Sequence, residues 1–331
     1  MHALITGATG FVGSALCRRL CLEGHIVSAF HRPTSYAGGI ADLPLITLTG
    51  DLTNSESVER AVEAFRPDVI FHLGAQMTAA PTVNRIMQVN VLGTRAVLQA
   101  AMKYGVRRVV LMSSACTLGM PELFRNHDRA PVIINEARVQ NAGMPLWPFA
   151  ESKYLAEMEA QSAAAKGLDT VIVNPFMVIG PGDWYRRKRS LLMQLKQHAP
   201  MLMVRGGINV ISLSDTVTGL INASVYGKSG ERYLLCGENI TFMEFCRLCS
   251  RAGGFEEPKL LFDNELLAGL MSHTRSGREL RLECLDESVY RCADRYFYYN
   301  PKKSRVVLHL SRQENIADTI DNTYRWFEEN A

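Results

Sequence analysis

The N-terminal segment MHALITGATGFVG constrains the fold of this chain more than any other stretch. An apolar run, Ala3–Thr6, is followed by glycines at positions 7, 10 and 13 and then by a segment of helical periodicity over 14–20. Glycine lets the backbone turn sharply and approach a ligand, while the open N–H groups and positive dipole end of a helix attract a pyrophosphate. The order strand, turn, helix therefore predicts a dinucleotide-binding turn, although the spacing is G-x-x-G-x-x-G rather than the more usual G-x-G-x-x-G.

Composition excludes several classes of partner. The 331 residues are 47% hydrophobic and 21% charged, and a formal net charge of +3 does not favour nucleic acid or a membrane surface. No run of about 18 apolar residues occurs, and the glycine turn begins at residue 7, so we expect no transmembrane helix, no signal peptide and a cytoplasmic location. The eight cysteines include Cys246 and Cys249 in a helical segment without a second pair nearby, which predicts reduced thiols and no metal site.

The end of the second predicted strand carries a cation. Arg32 lies 19 residues after Gly13, and no Asp or Glu is adjacent to it. A carboxylate in this region would hold the ribose 2′-hydroxyl of NAD, whereas an Arg can neutralise the 2′-phosphate of NADP. The sequence therefore favours NADP(H) over NAD.

Apolar strands and helical segments alternate through the first half of the chain. Strands are predicted at 25–30, 45–48, 68–75, 108–114 and 170–175, with helices between them. This order predicts an α/β fold with a doubly wound parallel Rossmann sheet. Residues 1–175, with returning segments at about 207–236, are predicted to form the NADP-binding domain. Residues of about 176–206 and 237–331 are predicted to form a smaller, C-terminal-weighted substrate lobe.

Seven motifs resemble, in order and approximate spacing, those of the extended short-chain dehydrogenase/reductases. They are GATGFVG (7–13), GDL (50–52), HLGA (72–75), NVLGT (90–94), SSACTLG (113–119), ESKYLAE (151–157) and NPFMVIGPGD (174–183). The later segments 230–241, 298–310 and 323–330 also resemble this NAD-dependent epimerase/dehydratase superfamily, especially its dihydroflavonol-reductase-like and 3β-hydroxysteroid-dehydrogenase-like branch. The resemblance covers most of the chain and is weakest over about 260–295.

This resemblance implies a cofactor site. The glycine turn would hold the pyrophosphate, Asp51 and Leu52 would flank the adenine, and 73–75 would lie along the ribose and diphosphate. The positions that match the family's cofactor site are Gly7, Thr9, Gly10, Phe11, Val12, Gly13, Arg32, Asp51, Leu52, Leu73, Gly74, Ala75, Lys153, Pro175 and Val178.

The resemblance also implies four catalytic positions. Asn90 matches a structural and proton-relay Asn, Ser114 a residue that hydrogen-bonds the substrate oxygen, and Lys153 the Lys of a Y-x-x-x-K motif. The Tyr of that motif is absent, because Phe149 stands four residues before Lys153. In the family the Lys lowers the phenol pKa from about 10, so that the phenol exchanges a proton with the substrate oxygen. Phenylalanine has no such proton, and losing a general acid typically costs on the order of 10² to 10⁴ in rate.

Three explanations account for a phenylalanine at position 149. The residue can be an engineered Tyr-to-Phe change, or a natural residue beside another donor such as Tyr185 or a water held by Ser114. Alternatively, the protein no longer performs net redox chemistry. The first explanation implies an NADP(H)-dependent oxidoreductase acting on a ketone or secondary alcohol of a small organic substrate, in a form that Phe149 inactivates. The second implies the same oxidoreductase with a different proton donor, and the third a non-redox isomerase, cyclase or binding protein. A nucleotide-sugar epimerase or dehydratase is a further alternative, although it predicts bound NAD, against which Arg32 argues.

Two further features concern partners. The basic run Arg186–Arg189 follows Tyr185 directly and can either receive an anionic substrate or form a solvated helix start. The predicted helix over 84–104 and the one beginning at 149 match the pair through which the family dimerises, so the resemblance implies a homodimer.

Overall fold

A seven-stranded parallel sheet forms the centre of the molecule. The computed structural model describes residues 1–77, 82–124, 130–138, 147–184, 190–200, 202–263, 292–310 and 313–330. In these ranges the strands are β1 (His2–Thr6), β2 (Ile26–His31), β3 (Ile46–Thr49), β4 (Val69–His72), β5 (Arg108–Met112), β6 (Thr170–Pro175), β7 (Met177–Ile179), β8 (Leu202–Val204), β9 (Gly206–Ser212), β10 (Arg232–Leu235), β11 (Glu238–Thr241), β12 (Leu260–Phe262) and β13 (Arg295–Tyr296).

Helices connect most of these strands. The α-helices of the described ranges are α1 (Phe11–Leu22), α2 (Ser55–Phe65), α3 (Val83–Met87), α4 (Gly93–Lys103), α5 (Pro148–Ala165), α6 (Leu191–His198), α7 (Leu213–Tyr226), α8 (Phe242–Gly253), α9 (Lys302–Val307) and α10 (Ile316–Glu329). A π-helical segment, Gln88–Leu92, joins α3 to α4, and a short 3₁₀ helix, Ala115–Leu118, follows β5. Among the helices that the structure describes, none is long and apolar enough to cross a membrane.

The main sheet has the order β10-β6-β5-β4-β1-β2-β3, and its neighbouring strands are parallel. The order reverses between β1 and β4, since β2 and β3 lie to one side of β1 and β4, β5 and β6 to the other. Ligands of doubly wound sheets bind outside the carboxyl ends of the strands at such a reversal. The α/β Rossmann fold predicted from the alternation of elements is confirmed.

Helices cover both faces of this sheet. On one face α1 packs beside α7, and Leu16 and Leu220 are fully buried. On the other face α2, α4 and α5 pack together over Val62, Val97 and Ala160. Burying a side chain such as Leu or Val stabilises a fold by about 1.5–3 kcal/mol. Strands β4 and β6 are buried throughout, as their continuous apolar runs predict for strands covered on both faces.

A smaller second layer follows the main sheet in the chain. Strands β11, β9 and β13 form a sheet in which β7 also pairs with β9, while β8 pairs with β12. Its core lies under α8 and α10, where Phe245 and Tyr324 are buried. Thus β10 joins the main sheet and β9 the second one. The division of the chain at 175 into two domains stays a prediction.

Some predicted boundaries need correction. For the C-terminal helix the sequence pattern predicts the range 313–329, but α10 begins at Ile316, because the Asn315 side chain accepts hydrogen bonds from its first N–H groups. The helix predicted over 84–104 is interrupted by the π-helical segment. Helix α5, predicted from 149, begins one residue earlier at a proline, which suits the first turn because it lacks an N–H group.

Replacing Gly7 by alanine tests the tight approach of β1 to β4. Gly7 has φ of +71°, and a Cβ built on it would lie 2.7 Å from the Gly74 nitrogen. Gly24 has φ of +78°, but its Cβ would meet nothing within 4 Å. We expect Gly24→Ala to cost about 1–2 kcal/mol through backbone strain alone, and Gly7→Ala to cost roughly 1–3 kcal/mol more because of the clash. Urea unfolding measures both, and equal losses would show that the turn has room for a side chain.

Candidate active site

The turn after β1 is shaped by close backbone packing. The Gly10 N–H donates to the Gly7 carbonyl at 3.0 Å, and a Cβ on Gly13 would lie 2.1 Å from that same oxygen. Helix α1 starts at Phe11, and no side chain among the described residues caps its first turn. Side chains on these glycines would therefore meet the backbone of the turn itself. The first N–H groups of α1 keep no side-chain acceptor at the N-cap, and this geometry fits a pyrophosphate.

The other predicted residues of the turn differ in exposure. Thr9 and Phe11 are half-buried beside the cradle, whereas Val12 points into the core beneath α1. Arg32 is exposed at the end of β2.

Asp51 lies where the predicted adenosine end of the site would be. Partial burial favours its neutral form, but hydrogen bonds from the Thr53 backbone and hydroxyl and the charges of Arg85 and Arg32 together hold its pKa below the ordinary value. The Arg85 Nη2 atom is 3.4 Å from the carboxylate. The structure thus brings Arg32 and Asp51 into one charged cluster, to which Arg85 adds a cation that sequence reasoning missed.

The segment after β4 lies against the glycine turn. The Leu73 N–H donates to the Thr6 carbonyl at 3.2 Å, and Gly74 is buried while Ala75 is exposed. A Cβ on Gly74 would lie 2.6 Å from Leu52 Cδ1, so Leu52 closes the space beside it. The predicted residues 73–75 therefore line the reversal point of the sheet.

Two predicted cofactor residues lie on strands farther along the chain. Pro175 is the last residue of β6, is buried, and pairs with Leu235 of β10. Val178 lies in β7, is half-buried and packs against the core of the main sheet. Pro175 therefore lies at the carboxyl end of β6 and Val178 just after it, at the end of the sheet where β5 also ends.

Asn90 joins the segment after β4 to helix α5. Its Oδ1 accepts from the Gln76 N–H at 2.7 Å, and its Nδ2 donates to the Gln76 carbonyl at 3.1 Å and to Ser152 Oγ at 2.9 Å. The Ser152 hydroxyl in turn donates to the Phe149 carbonyl at 2.8 Å. Both amide hydrogens of Asn90 are thus committed within the protein, and they hold the first turn of α5 in place.

Lys153 is a buried cation at the carboxyl end of β5. Its side chain is only 3% exposed, and Nζ donates to the Met112 carbonyl at 2.7 Å. Burial lowers the pKa of this amine to about 8, although the negative charge of Glu157 raises it in part. At pH 7 the amine is therefore still protonated. Among the described residues it uses one of its three donors, so two can meet a ligand.

Ser114 follows β5 and begins the short 3₁₀ helix. Its Oγ accepts from the Cys116 N–H at 3.4 Å, and its carbonyl accepts from Asn174 Nδ2 at 3.0 Å. Burial raises the pKa of the Cys116 thiol to about 12, although a hydrogen bond with the Ser114 side chain offsets part of this effect. Cys116 is therefore a neutral neighbour, and Ser114 remains half-exposed two residues after the carbonyl that Lys153 contacts.

Phe149 lies in the first turn of α5, one turn before Lys153. It packs with Trp147 and Phe176 against buried Cys116 and Ala150. The ring is half-buried in apolar surroundings. The predicted position for the proton donor is therefore occupied by a side chain that fits its neighbours but carries no exchangeable proton.

Glu157 is a buried carboxylate that sequence reasoning did not single out. Its Oε1 accepts from Ser113 Oγ at 2.5 Å and from Asn174 Nδ2 at 2.6 Å, and its Oε2 lies 3.6 Å from Arg232 Nη1. Its spacing of four residues from Lys153 places both on one face of α5, and that spacing was the available signal. Glu157 supplies the negative charge behind the lysine.

Some predicted residues lie outside the part of the chain that the structure describes. These are Tyr185 and the basic run Arg186–Arg189. Within the described part, no group of three or more His, Cys, Asp or Glu side chains could hold a metal ion.

Comparisons with known proteins show the family and the fold of this chain. The profile of the NAD dependent epimerase/dehydratase family matches residues 3–230. A dihydroflavonol 4-reductase from Zea mays is 30% identical, over 72% of this chain and 70% of that protein. A 3-beta-hydroxysteroid dehydrogenase from Mycolicibacterium neoaurum is 27% identical, over 80% of this chain and 74% of that protein. The crystal structure of gox2253 covers 99% of this chain and 98% of its own, with 27% identity and a TM-score of 0.83.

Replacing Lys153 by methionine tests the cost of the buried ammonium. The pKa falls from 10.5 to about 8 on folding, which corresponds to about 3 kcal/mol of destabilisation at neutral pH. Because the folded pKa is the lower one, the unfolded chain holds more protons between pH 8 and 10.5, and stability rises across that window. We expect Lys153→Met to raise the free energy of unfolding at pH 7 by up to about 3 kcal/mol and to remove this rise.

Urea unfolding of the ligand-free protein between pH 7 and 10 measures both effects. Lys166→Met is the matched control, because Lys166 is exposed at the end of α5. A Lys153→Met protein that is less stable at pH 7 would show instead that the amine contributes favourably to the fold.

Proposed function

This chain belongs to the NAD-dependent epimerase/dehydratase family, and on that premise we propose that it is an NADP(H)-dependent oxidoreductase of the extended short-chain type. Its substrate would be a small organic molecule with a ketone or a secondary alcohol. The observation that carries the proposal is the Lys153 amine, buried at the carboxyl end of β5 with donors to spare. A buried ammonium costs stability, and such groups are found where a charge acts on a ligand.

The residues of the site have separate roles in this proposal. The glycine turn and the start of α1 bind the pyrophosphate, Lys153 binds the nicotinamide ribose, and Ser114 orients the substrate oxygen. When bound, NADP(H) supplies or accepts the hydride. Asn90 holds the first turn of α5, so that position 149 faces the same region. Phe149 excludes water from its own position and moves no proton there.

A second candidate function follows from Phe149 itself. A ring without a hydroxyl, packed among apolar neighbours, favours a non-redox isomerase, cyclase or binding protein that keeps the dinucleotide fold. An engineered Tyr-to-Phe change, or a proton donor from another part of the chain, would instead be compatible with the redox function. The nucleotide-sugar epimerase or dehydratase alternative is weaker, because the exposed Arg32 suits a 2′-phosphate.

We also propose that the protein forms a homodimer through α4 and α5. These helices pack side by side, and Arg95 holds Glu159 with two hydrogen bonds of 3.1 and 2.7 Å. Leu92 and Leu155 nearby are 50% and 38% exposed. Apolar side chains on such a surface favour association with a second copy.

Restoring a tyrosine at position 149 separates the two functions. We expect Phe149→Tyr to raise carbonyl-dependent NADPH oxidation by about 10²-fold or more, because the new phenol lies one turn from Lys153 and can give a proton. Absorbance at 340 nm over a panel of ketones measures this gain. Ser114→Ala in the Phe149→Tyr background is the control and should remove much of it. If Phe149→Tyr oxidises NADPH no faster with any ketone, and the unmodified protein catalyses an isomerisation, the second candidate function is favoured.

Exchanging Arg32 for aspartate tests the choice of cofactor. We expect Arg32→Asp to weaken NADPH binding at least tenfold more than NADH binding, because the 2′-phosphate loses a cation and meets an anion. Isothermal titration calorimetry with both dinucleotides measures the two losses. Arg107→Asp makes the same charge change at an exposed position just before β5. Arg107 lies at the amino ends of the strands, whereas Arg32 lies at their carboxyl ends. Equal losses for the two dinucleotides would count against NADP(H).

A further inference from the structure

His72, the last residue of β4, is held between two threonine hydroxyls. Its ring is 1% exposed, with Nδ1 2.6 Å from Thr6 Oγ1 and Nε2 2.9 Å from Thr94 Oγ1. Thr6 Oγ1 also accepts from the Gly74 N–H at 3.1 Å, and Thr94 Oγ1 donates to the Asn90 carbonyl at 2.6 Å. The sequence places His72 only within the strand predicted over 68–75, and its two hydrogen-bond partners lie on other segments, β1 and α4.

These contacts fix where each proton lies. A hydroxyl has one hydrogen, and that of Thr94 is committed to the Asn90 carbonyl, which can only accept. Thr94 must therefore accept from His72 Nε2–H. Burial, with a smaller contribution from the charge of Lys153, lowers the pKa of His72 to about 3, so the ring is neutral and carries one proton. Nδ1 then accepts from the Thr6 hydroxyl, and one continuous chain runs from the Gly74 N–H to the Asn90 carbonyl.

The two ends of this chain lie in different parts of the site. At one end, Gly74 sits against Gly7, whose Cβ would be 2.7 Å from the Gly74 nitrogen. At the other end, the Asn90 side chain holds Gln76 and Ser152. A shift of the ring would therefore act on the turn that faces the dinucleotide and on the support of α5 together.

We propose that His72 is a positioning residue for the dinucleotide site, and that as the Nε2–H tautomer it fixes Gly74 against the glycine turn and the Asn90 segment against α5. The part that concerns the dinucleotide rests on the proposed function. The tautomer and the hydrogen-bond chain do not depend on it. A histidine that only fills the core would not tie these two ends together.

Nitrogen-15 NMR of the imidazole rings tests the chain in the ligand-free protein. We expect His72, identified by its loss in His72→Gln, to show a protonated Nε2 and a bare Nδ1 at every pH from 5 to 8. In Thr94→Val the Nε2 partner is gone, but Thr6 Oγ1 can still accept, so we expect the proton to move to Nδ1. Thr94→Ser keeps the hydroxyl and should keep the Nε2–H form. A bare Nε2 in the unmodified protein, or a charged ring in this range, would overturn the proposal.

Two further measurements test positioning. We expect Thr6→Val to speed amide hydrogen exchange at Gly74 and to weaken NADPH binding about tenfold or more, since a buried N–H loses its acceptor. Thr6→Ser should keep both within about twofold of the unmodified protein. Thermal unfolding confirms that each variant is folded.

The outcomes separate this inference from the proposed function. If the unmodified protein binds no NADPH, the proposed function fails. The NMR and hydrogen-exchange results still test the hydrogen-bond chain from Gly74 to Asn90. If Thr6→Val and Thr94→Val fold and bind NADPH as tightly as the unmodified protein, His72 does not position the dinucleotide site.

Discussion

The close approach of β1 and β4 at the reversal point of the sheet is the constraint on which the site depends. Gly7 and Gly74 meet there with no room for a Cβ on either. Two parallel strands that separate beyond their carboxyl ends open a crevice, and glycine at the contact lets backbone rather than side chains line it. This contact places the glycine turn against the segment after β4, and the hydrogen bonds of Thr6 and His72 extend the connection to Asn90.

Behind this crevice the protein buries ionisable side chains, on helix α5 and at the end of β4. Lys153, Glu157 and His72 are each at most 3% exposed. Uncompensated burial of such groups is costly, and the structure limits the cost in different ways. His72 is neutral and bonded at both nitrogens. The Glu157 carboxylate is paired with Arg232 and accepts hydrogen bonds from two neutral side chains. Lys153 has a carbonyl and a carboxylate one turn away, and it alone keeps donors available.

Sequence patterns are sufficient to predict the secondary-structure elements but not the hydrogen-bond networks of the site. The glycine spacing and the apolar runs predicted the turn and the strands, because these depend on neighbours close in the chain. The hydrogen bonds of His72 join residues 66 and 22 positions apart, and no local pattern encodes such partners. Asn90 was found by resemblance, but its π-helical setting was not. The Lys153–Glu157 spacing is visible in the sequence, yet only the fold shows that both residues are buried and that Arg232 lies beside Glu157.

The cost of burying polar groups also bears on Phe149. An apolar ring against Cys116 and Ala150 needs no partner, so it adds nothing to the polar cost of the site. The buried ammonium of Lys153 still destabilises the fold, although the phenol whose pKa such a lysine would lower is absent. Natural proteins have little stability in reserve, so a charge buried without use would be a disadvantage that a methionine could relieve. The combination of a costly ammonium and an inert ring therefore favours a site in which Lys153 acts directly on a bound ligand, whichever side chain stands one turn before it.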